Sequence, residues 1–516
     1  MTSFDHPWAA LEHAAKTWPE VEALVFPQQG ARRTFAQWRD EASLLAWALQ
    51  SLGLGHGDHI ALLAENRVEW PIVQMACAVL EAVFVPLNTH YRKDDLAYAL
   101  KQSDAKALIC STSYRANPYL ENVIALRPQL PILKHVITLE TDYPRLIENA
   151  PPVKAAAPDP AAVAALLYTS GTTGFPKGAL LSHRAMMMDA RGAAERLGLQ
   201  AGDRWTSIIP LFHCAGCIMN ILGPLQKGAA YVGVPSFDAE AMFRVIQNER
   251  CTFLSGVPTS YLAMLDHPAR GRYDLSSLRA GSCGGADCNP EVLRRCAEEF
   301  PMPGLAQVYG QTEGATLFAC PQADDPLRWE TAGTALPAHE LRIVDPETLA
   351  PLADGEIGEI QARGAMVMQG YYNKPEDTAE TIIDGGWLRT GDLGYLRPDG
   401  RLVIAGGRLR DMIIRGGENI YPAEIENVLQ EHEAVAGVAV FGVADDYYGE
   451  IVAAAVKLAH DVTAAELQAL CAARIAKFKV PAMIFRVDAF PLTPSGKIRK
   501  VELRQWAKDG KMDRLT

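Results

Sequence analysis

The feature that most constrains this chain is an apolar run that feeds directly into a loop built for an anion. Residues 163–168 read VAALLY, and Thr169, Ser170, Gly171, Thr172, Thr173, Gly174, Phe175, Pro176, Lys177 and Gly178 follow without a break. Gly171 and Gly174 free the backbone to curl, so that successive N–H groups converge on one point. Ser170, Thr172 and Thr173 add hydroxyl donors, and Lys177 adds a positive charge. Together these groups suit a polyphosphate. A merely flexible loop needs neither the lysine nor the buried strand before it. The loop is not the Walker type, in which Gly-Lys precedes Ser or Thr; here Lys177 stands between Pro176 and Gly178.

The chain has 516 residues, about three times a typical ~150-residue domain, so two or more domains are expected. Lys plus Arg number 49 against 61 Asp plus Glu, a net charge of −12. That balance excludes a general nucleic-acid binder, which needs a basic footprint. It leaves anionic small ligands open, because local charge decides those. Apolar residues at 49% and charged residues at 21% fit a globular chain and not a disordered one. Ten cysteines are too sparse for a disulfide scaffold. The first residues carry Asp5 and no basic stretch ahead of an apolar core, so no secretory leader is expected. The apolar stretch 71–87 is broken by Gln74 and Glu81 and falls short of the ~20 clean residues of a spanning helix. A reduced, cytoplasmic protein without a transmembrane segment is the expectation.

Helical and strand periods alternate through most of the chain. Phe35, Trp38, Ala42, Leu45, Ala46 and Leu49 mark an amphipathic helix over 34–53. Residues 59–64 read as a strand, 70–83 as a buried helix and 107–110 as a strand. This alternation predicts an α/β protein with mainly parallel sheets in layers of sheet and helix. The Pro- and Ala-rich segment 150–160 reads as a surface linker. A second boundary is expected near Arg410, dividing a large N-terminal domain (1–409) from a small α+β domain (410–516). In the latter, 437–443 and 451–458 read as strands, and Thr463 with Glu466 forms a capping box for a helix running to Ala476. No internal repeat or coiled-coil heptad is present.

Beyond YTSGTTGFPKG (168–178) come Gly284-Gly285-Ala286, YGQTE (309–313), GEIGE (355–359), YYNKP (371–375), WLRTGD (387–392), GRLRD (407–411), RGGENIYP (415–422) and PLTPSGK (491–497). In this order the series resembles the adenylate-forming superfamily: acyl-CoA synthetases, peptide-synthetase adenylation domains and luciferases. The resemblance implies a large multi-subdomain N-terminal domain and a small mobile C-terminal domain. It also implies a two-step reaction. A carboxylate attacks the α-phosphate of ATP, giving an acyl-adenylate and pyrophosphate, and the thiol of coenzyme A then displaces AMP. Bringing an anion against a polyanion demands positive charge and aligned donors.

By that resemblance, Glu313 holds Mg2+, a hard cation that prefers carboxylate oxygen. Thr312 reaches the α-phosphate, Tyr309 stacks on adenine, and the backbone at Gly285 and Ala286 faces the base edge, with Gly310 and Gln311 completing the loop. Asp392 accepts the two ribose hydroxyls, supported by Arg408. Lys497 enters the site as the catalytic cation. Arg410 is the hinge, where relatives more often carry Asp or Lys, and Gly416 and Gly417 pass the pantetheine arm of coenzyme A. Pro491 followed by Gly496-Lys497 also resembles the pattern that protein acetyltransferases recognise, with a deacylase to reverse the modification. Acetylation would remove the one ammonium charge adenylation needs.

Residues 210–217 (PLFHCAGC) match the family segment at the mouth of the acyl pocket. His213 is the expected gate between the carboxylate and the thiol tunnel, with Gly284, Cys214 and Cys217 as pocket residues. Cys214 and Cys217 form a CxxC beside a histidine, but structural zinc wants four ligands, and small pocket-lining residues is the simpler reading. A peptide-synthetase domain usually carries Asp near Leu211-Phe212-His213, and none is present; no carrier domain is expected after Thr516. The final residues, Asp513-Arg-Leu-Thr516, do not read as a luciferase-type peroxisomal tail, so that class is not expected. A non-catalytic nucleotide binder would not need Lys497, Glu313 and Asp392 together. The reading is therefore an ATP- and Mg2+-dependent ligase of a carboxylic acid and coenzyme A. The small residues favour a short or medium acid, branched or hydroxylated acids included, with aryl or long-chain acids as alternatives. A homodimer is compatible with the sequence and not specified by it.

Overall fold

The computed structural model describes residues 4–148, 150–153, 159–169, 176–286, 288–408, 411–415, 418–445, 448–475, 477–493 and 496–516, with backbone alone at 406–408, 414, 418–419 and 449. The chain groups into two compact units. One comprises Met1–Gly284, Pro290–Glu340 and Ala362–Leu388; the other comprises Gly285–Asn289, Leu341–Gln361 and Arg389–Thr516. Residues 409 and 410, where the sequence suggests a boundary, lie outside the described residues.

The first unit carries two seven-stranded sheets. One runs in the order Gly370–Tyr371, Lys177–Ser182, Val163–Thr169, Val83–Pro86, His59–Leu63, Ala107–Cys110 and His135–Thr138. The last five are parallel, and Lys177–Ser182 folds back antiparallel on Val163–Thr169. Its inner strands are continuously apolar because both faces are covered, as parallel sheets require. The other sheet runs Gly304–Gln307, Ala280–Cys283, Phe253–Gly256, Arg204–Ser207, Ala230–Val232, Glu22–Phe26 and Ala31–Thr34. All its pairings are parallel except the last. Gly284 and Tyr309 therefore sit just past the carboxyl ends of adjacent parallel strands, where open α/β sheets bind ligands.

The helix expected over 34–53 is Phe35–Ser51, capped by a reciprocal Thr34–Gln37 box, and all six of its marker residues are buried. The helix expected over 70–83 is shorter, Glu69–Leu80. Glu81 takes a left-handed conformation at φ +54° and the chain enters the strand Val83–Pro86. A continuous apolar run cannot separate a buried helix from the buried strand that follows it. No described helix is long and apolar enough to cross a membrane.

The second unit is built on a six-stranded sheet dominated by the hairpin Val435–Asp445 with Gly449–Leu458. Alternation along these strands feeds two cores. Val440, Val452, Ala454 and Val456 pack with Ile425, Leu429, Leu467 and Cys471 from helices Pro422–Gln430 and Ala464–Arg474. Ala439, Phe441, Ala453 and Ala455 pack on the opposite face with Leu503 of Lys500–Lys508. The Thr463–Glu466 capping box is present, and its helix ends at Arg474.

Candidate active site

Thr169 and Lys177 are directly paired across the hairpin whose tip is the glycine-rich loop. Ser170, Gly171, Thr172, Thr173 and Gly174 lie outside the described residues. The Lys177 side chain is largely buried and forms an ion pair with Asp377, in the first turn of Pro375–Thr381. Its ammonium also stands 5.3 Å from the centroid of the Tyr371 ring. The cation at the root of the loop is thus held between a carboxylate and an aromatic face.

The YGQTE segment closes on itself. The Tyr309 amide donates to the Ala319 carbonyl at 3.1 Å, and the Phe318 amide donates to Tyr309 at 2.8 Å. Tyr309 is buried, its ring 5.9 Å from that of Phe318. A Cβ on Gly310 would lie 2.0 Å from the Thr316 carbonyl oxygen, so only glycine lets the two backbones cross here. Gln311 leads into a single tight turn, Thr312–Gly314, and Ala315 follows at φ +65°, ψ −58°, a strained conformation for a residue with a side chain. Asp189, fully buried on helix His183–Arg196, accepts from the Leu317 amide at 2.7 Å and tethers the loop from behind. Burial pushes its carboxyl up to about 8.

Glu313 is oriented by two contacts. Tyr371 donates its hydroxyl to Oε1 at 2.7 Å, and the Met368 amide donates to the Glu313 carbonyl at 2.8 Å. Burial and the adjacent carboxylate raise the Tyr371 phenol, so it stays a donor. Thr312 Oγ1 lies 3.5 Å from Cys214 Sγ, which brings the loop against the segment 210–217.

That segment is anchored by Leu211, whose amide donates to Asn66 Oδ1 at 2.8 Å, and by Gln74, which donates to the Cys217 carbonyl at 3.1 Å. The chain then makes one wide π-type turn, Ala215–Met219, before the helix Asn220–Lys227. Such turns recur at functional sites, and nothing in the sequence reading signals this one. A Cβ on Gly216 would lie 2.3 Å from the Pro210 carbonyl oxygen. The His213 ring packs 4.5 Å from that of Phe212. Cys217 is buried, which holds its thiol well above the usual range, while Cys214 is partly exposed. A Cβ on Gly284 would meet the Val308 carbonyl oxygen at 2.7 Å, so this pocket residue also marks a close backbone approach.

In the second unit, Asp392 on strand Trp387–Leu396 stands in register opposite Arg408 on Leu402–Arg408. The two residues expected to share one ribose are therefore cross-strand neighbours. Beneath them, Glu359 is 1% exposed, ion-pairs with Arg389 at 2.9 Å and accepts from the Gly391 amide at 3.2 Å. Gly285 and Ala286 belong to this unit, Gly285 at φ +77°. Lys497 is exposed. The Thr493 amide donates to the Lys497 carbonyl at 2.7 Å, the Lys497 amide donates to Thr493 Oγ1 at 3.0 Å, and Gly496 between them is left-handed at φ +82°. Arg410, Gly416 and Gly417 lie outside the described residues, as does the side chain of Arg408.

Tyr371, Asp377 and Asp189 are the functional neighbours that sequence reasoning does not identify. Tyr371 falls in the YYNKP motif, which names no role; Asp189 looks like any helical aspartate.

Residues 11–372 match the family described as AMP-binding enzyme, and residues 424–497 match the AMP-binding enzyme C-terminal domain. The chain belongs to this family and so to the adenylate-forming superfamily. It is 40% identical to the putative acyl-CoA synthetase YngI of Bacillus subtilis, covering 96% of both chains. It is 34% identical to the human mitochondrial medium-chain acyl-CoA ligase ACSF2, over 96% of this chain and 86% of that one. Among solved structures it is similar to the anthranilate CoA ligase AuaEII in complex with anthranoyl-AMP, at a TM-score of 0.92 and 27% identity over 99% of both chains. Within the family, the chain is an acyl-CoA synthetase, an AMP-forming acid–thiol ligase.

Proposed function

We propose that this enzyme activates a short- or medium-chain carboxylic acid, branched or hydroxylated acids included, and that the residues named above carry the two half-reactions. The observation that carries the reading is the contact of Thr312 with Cys214. It sets the loop expected at the α-phosphate against the segment expected to line the acyl pocket, so the two reacting groups meet where these segments touch. Small side chains at Cys214, Ala215, Gly216 and Cys217 leave room there. The medium-chain relative supports the same substrate class.

In the first half-reaction a carboxylate oxygen of the acid bonds to the α-phosphorus and the bond to the bridging oxygen of pyrophosphate breaks. Lys177 and the loop donors hold the phosphates, and Lys497 supplies the charge that offsets carboxylate against α-phosphate. Asp392, with Arg408, holds the ribose, Tyr309 the adenine, and Gly285 with Ala286 the base edge. The close backbone crossing at Gly310 and the fixed Glu313 carboxylate fit a nucleotide and its Mg2+. Glu313 would hold the cation, which would neutralise phosphate charge. In the second half-reaction the sulfur of coenzyme A bonds to the acyl carbon and AMP leaves. His213 gates the thiol's approach, Gly416 and Gly417 pass the pantetheine arm, and Arg410 is the pivot on which the C-terminal domain alternates. The protein acts in the cytoplasm, and acetylation of Lys497, reversed by a deacylase, switches adenylation off.

The test is pyrophosphate release across acids from acetate to long fatty acids and benzoates, with and without coenzyme A. Preference for a short or medium aliphatic acid, with thioester formed only when coenzyme A is added, is expected. A preference for benzoates would replace the substrate reading with an aryl-CoA ligase.

A further inference from the structure

A second polar cluster lies in the first unit and takes no part in the chemistry above. His6 caps the N-terminus of helix Pro7–Thr17, Glu81 ends helix Glu69–Leu80, and His183 begins helix His183–Arg196. The side chains of His6, Glu81 and His183 are 2%, 10% and 1% exposed. Their ligand atoms all lie within 4.8 Å of one another. His6 Nε2 stands 3.1 Å from one Glu81 oxygen and His183 Nε2 stands 3.7 Å from the other. Neither ring nitrogen of His183 makes a hydrogen bond, nor does His6 Nε2 or Glu81 Oε2. Buried polar atoms left without a partner are costly, and His6 Nε2, Glu81 Oε2 and His183 Nε2 are three such atoms in this cluster. We infer that His6, Glu81 and His183 form a binding site for a divalent transition cation, zinc by its donor set.

Three observations carry this. Around a zinc ion with bonds of ~2.0–2.1 Å, tetrahedral ligand atoms stand ~3.3–3.4 Å apart; one nitrogen of each histidine already faces its own oxygen of Glu81, at 3.1 and 3.7 Å, so a rotation of the carboxylate lets one oxygen serve both. Two imidazoles and one carboxylate leave an open fourth position, which water can fill. An ion also has a way in, because Glu81 lines an open cleft with His56, Asp159 and Tyr372.

Glu81 holds its left-handed backbone, which favours glycine, so the side chain rather than the turn accounts for a glutamate there. The histidine-bearing segment is already seated beside His183: Asp5 faces Arg184 at 3.4 Å and Arg191 at 3.7 Å. Loading the site has one visible cost. His6 Nδ1 accepts from the Trp8 amide at 3.2 Å, so a cation on Nε2 sends the ring proton to Nδ1 and breaks that long cap bond. The cation replaces it as the tie between the N-terminal helix and the two others.

The experiment uses the full-length enzyme without a polyhistidine tag. Metal content is measured by mass spectrometry, the chelator-treated protein is titrated with Zn2+ and with Co2+, and melting is followed with and without each ion. One equivalent of zinc, a Co2+ visible spectrum of a histidine–carboxylate site and a metal-dependent rise in melting temperature are expected. His6→Gln and Glu81→Gln should each weaken binding at least about tenfold and leave pyrophosphate release unchanged, since neither residue belongs to the active site. A wild-type enzyme that takes up no stoichiometric Zn2+ or Co2+ at micromolar concentration would overturn the proposal. So would binding that both folded variants retain.

Discussion

Replacing Tyr371 by phenylalanine tests how the proposed metal-binding carboxylate is held. The change removes one oxygen. The ring stays beside Lys177, 5.3 Å from its ammonium, and no cavity is made. What goes is a hydroxyl–carboxylate hydrogen bond of 2.7 Å. A hydrogen bond to a charged group contributes ~1.5–3 kcal/mol where water cannot replace it. Glu313 is partly exposed, so water recovers part of that, and folding stability should fall by less than ~1 kcal/mol. Catalysis should lose more, because the carboxylate becomes free to rotate away from its ion. At the low end of the range, ~1.5 kcal/mol corresponds to about tenfold. Tyr371→Phe should therefore raise the Mg2+ concentration for half-maximal pyrophosphate release about tenfold, with a near wild-type melting temperature. Turnover of preformed acyl-adenylate with coenzyme A should be unaffected. A folded variant with an unchanged Mg2+ titration would show that Tyr371 does not position the metal ligand.

Lys497→Ala should abolish adenylation and spare thioester formation from preformed acyl-adenylate, because the charge it offsets exists only while carboxylate and triphosphate are together; acyl-CoA made from acid and ATP at the normal rate would refute this. Asp189 titrates near 3.8 when unfolded and at about 8 when buried, so the folded state binds the extra proton. Its contribution to stability is complete below the unfolded value and is lost as pH rises through about 8. Asp189→Asn should flatten that fall, and a melting curve series with the wild-type slope above neutral pH would count against it. Gly216→Ala places a methyl 2.3 Å from a backbone oxygen, which no rotamer can relieve. The π-type turn should distort, costing ~1–3 kcal/mol by overpacking and most of the activity; a variant with normal melting and turnover would contradict the packing. Glu359→Gln should weaken the Arg389 pair and raise KM for ATP with little effect on KM for the acid; equal changes in both would detach Glu359 from the Asp392 turn.

Much of this protein was legible along the chain. The apolar run 163–168 announced an inner strand, the spacing of Phe35, Trp38, Ala42 and Leu45 and the capping box at Thr463 announced their helices, and the apolar runs 437–443 and 451–458 announced the two strands of the second unit's hairpin. These signals are local: a few adjacent side chains decide whether a segment buries one face or two, and whether its first amides are capped. The ordered motifs identified the chemistry for the same reason, since each is a short loop whose glycines and polar groups act on a ligand within a few residues. Tertiary structure alone decided what stands between motifs. The helix over 69–80 stops where Glu81 turns left-handed, and an unbroken apolar run hides that break. Tyr371 meets Glu313 across 58 residues, Asp377 meets Lys177 across 200, and Asp189 meets Leu317 across 128. His6, Glu81 and His183 likewise converge from three helix ends. No periodicity links such positions; packing of separate elements around shared cores sets them side by side, and low dielectric inside gives each contact its strength.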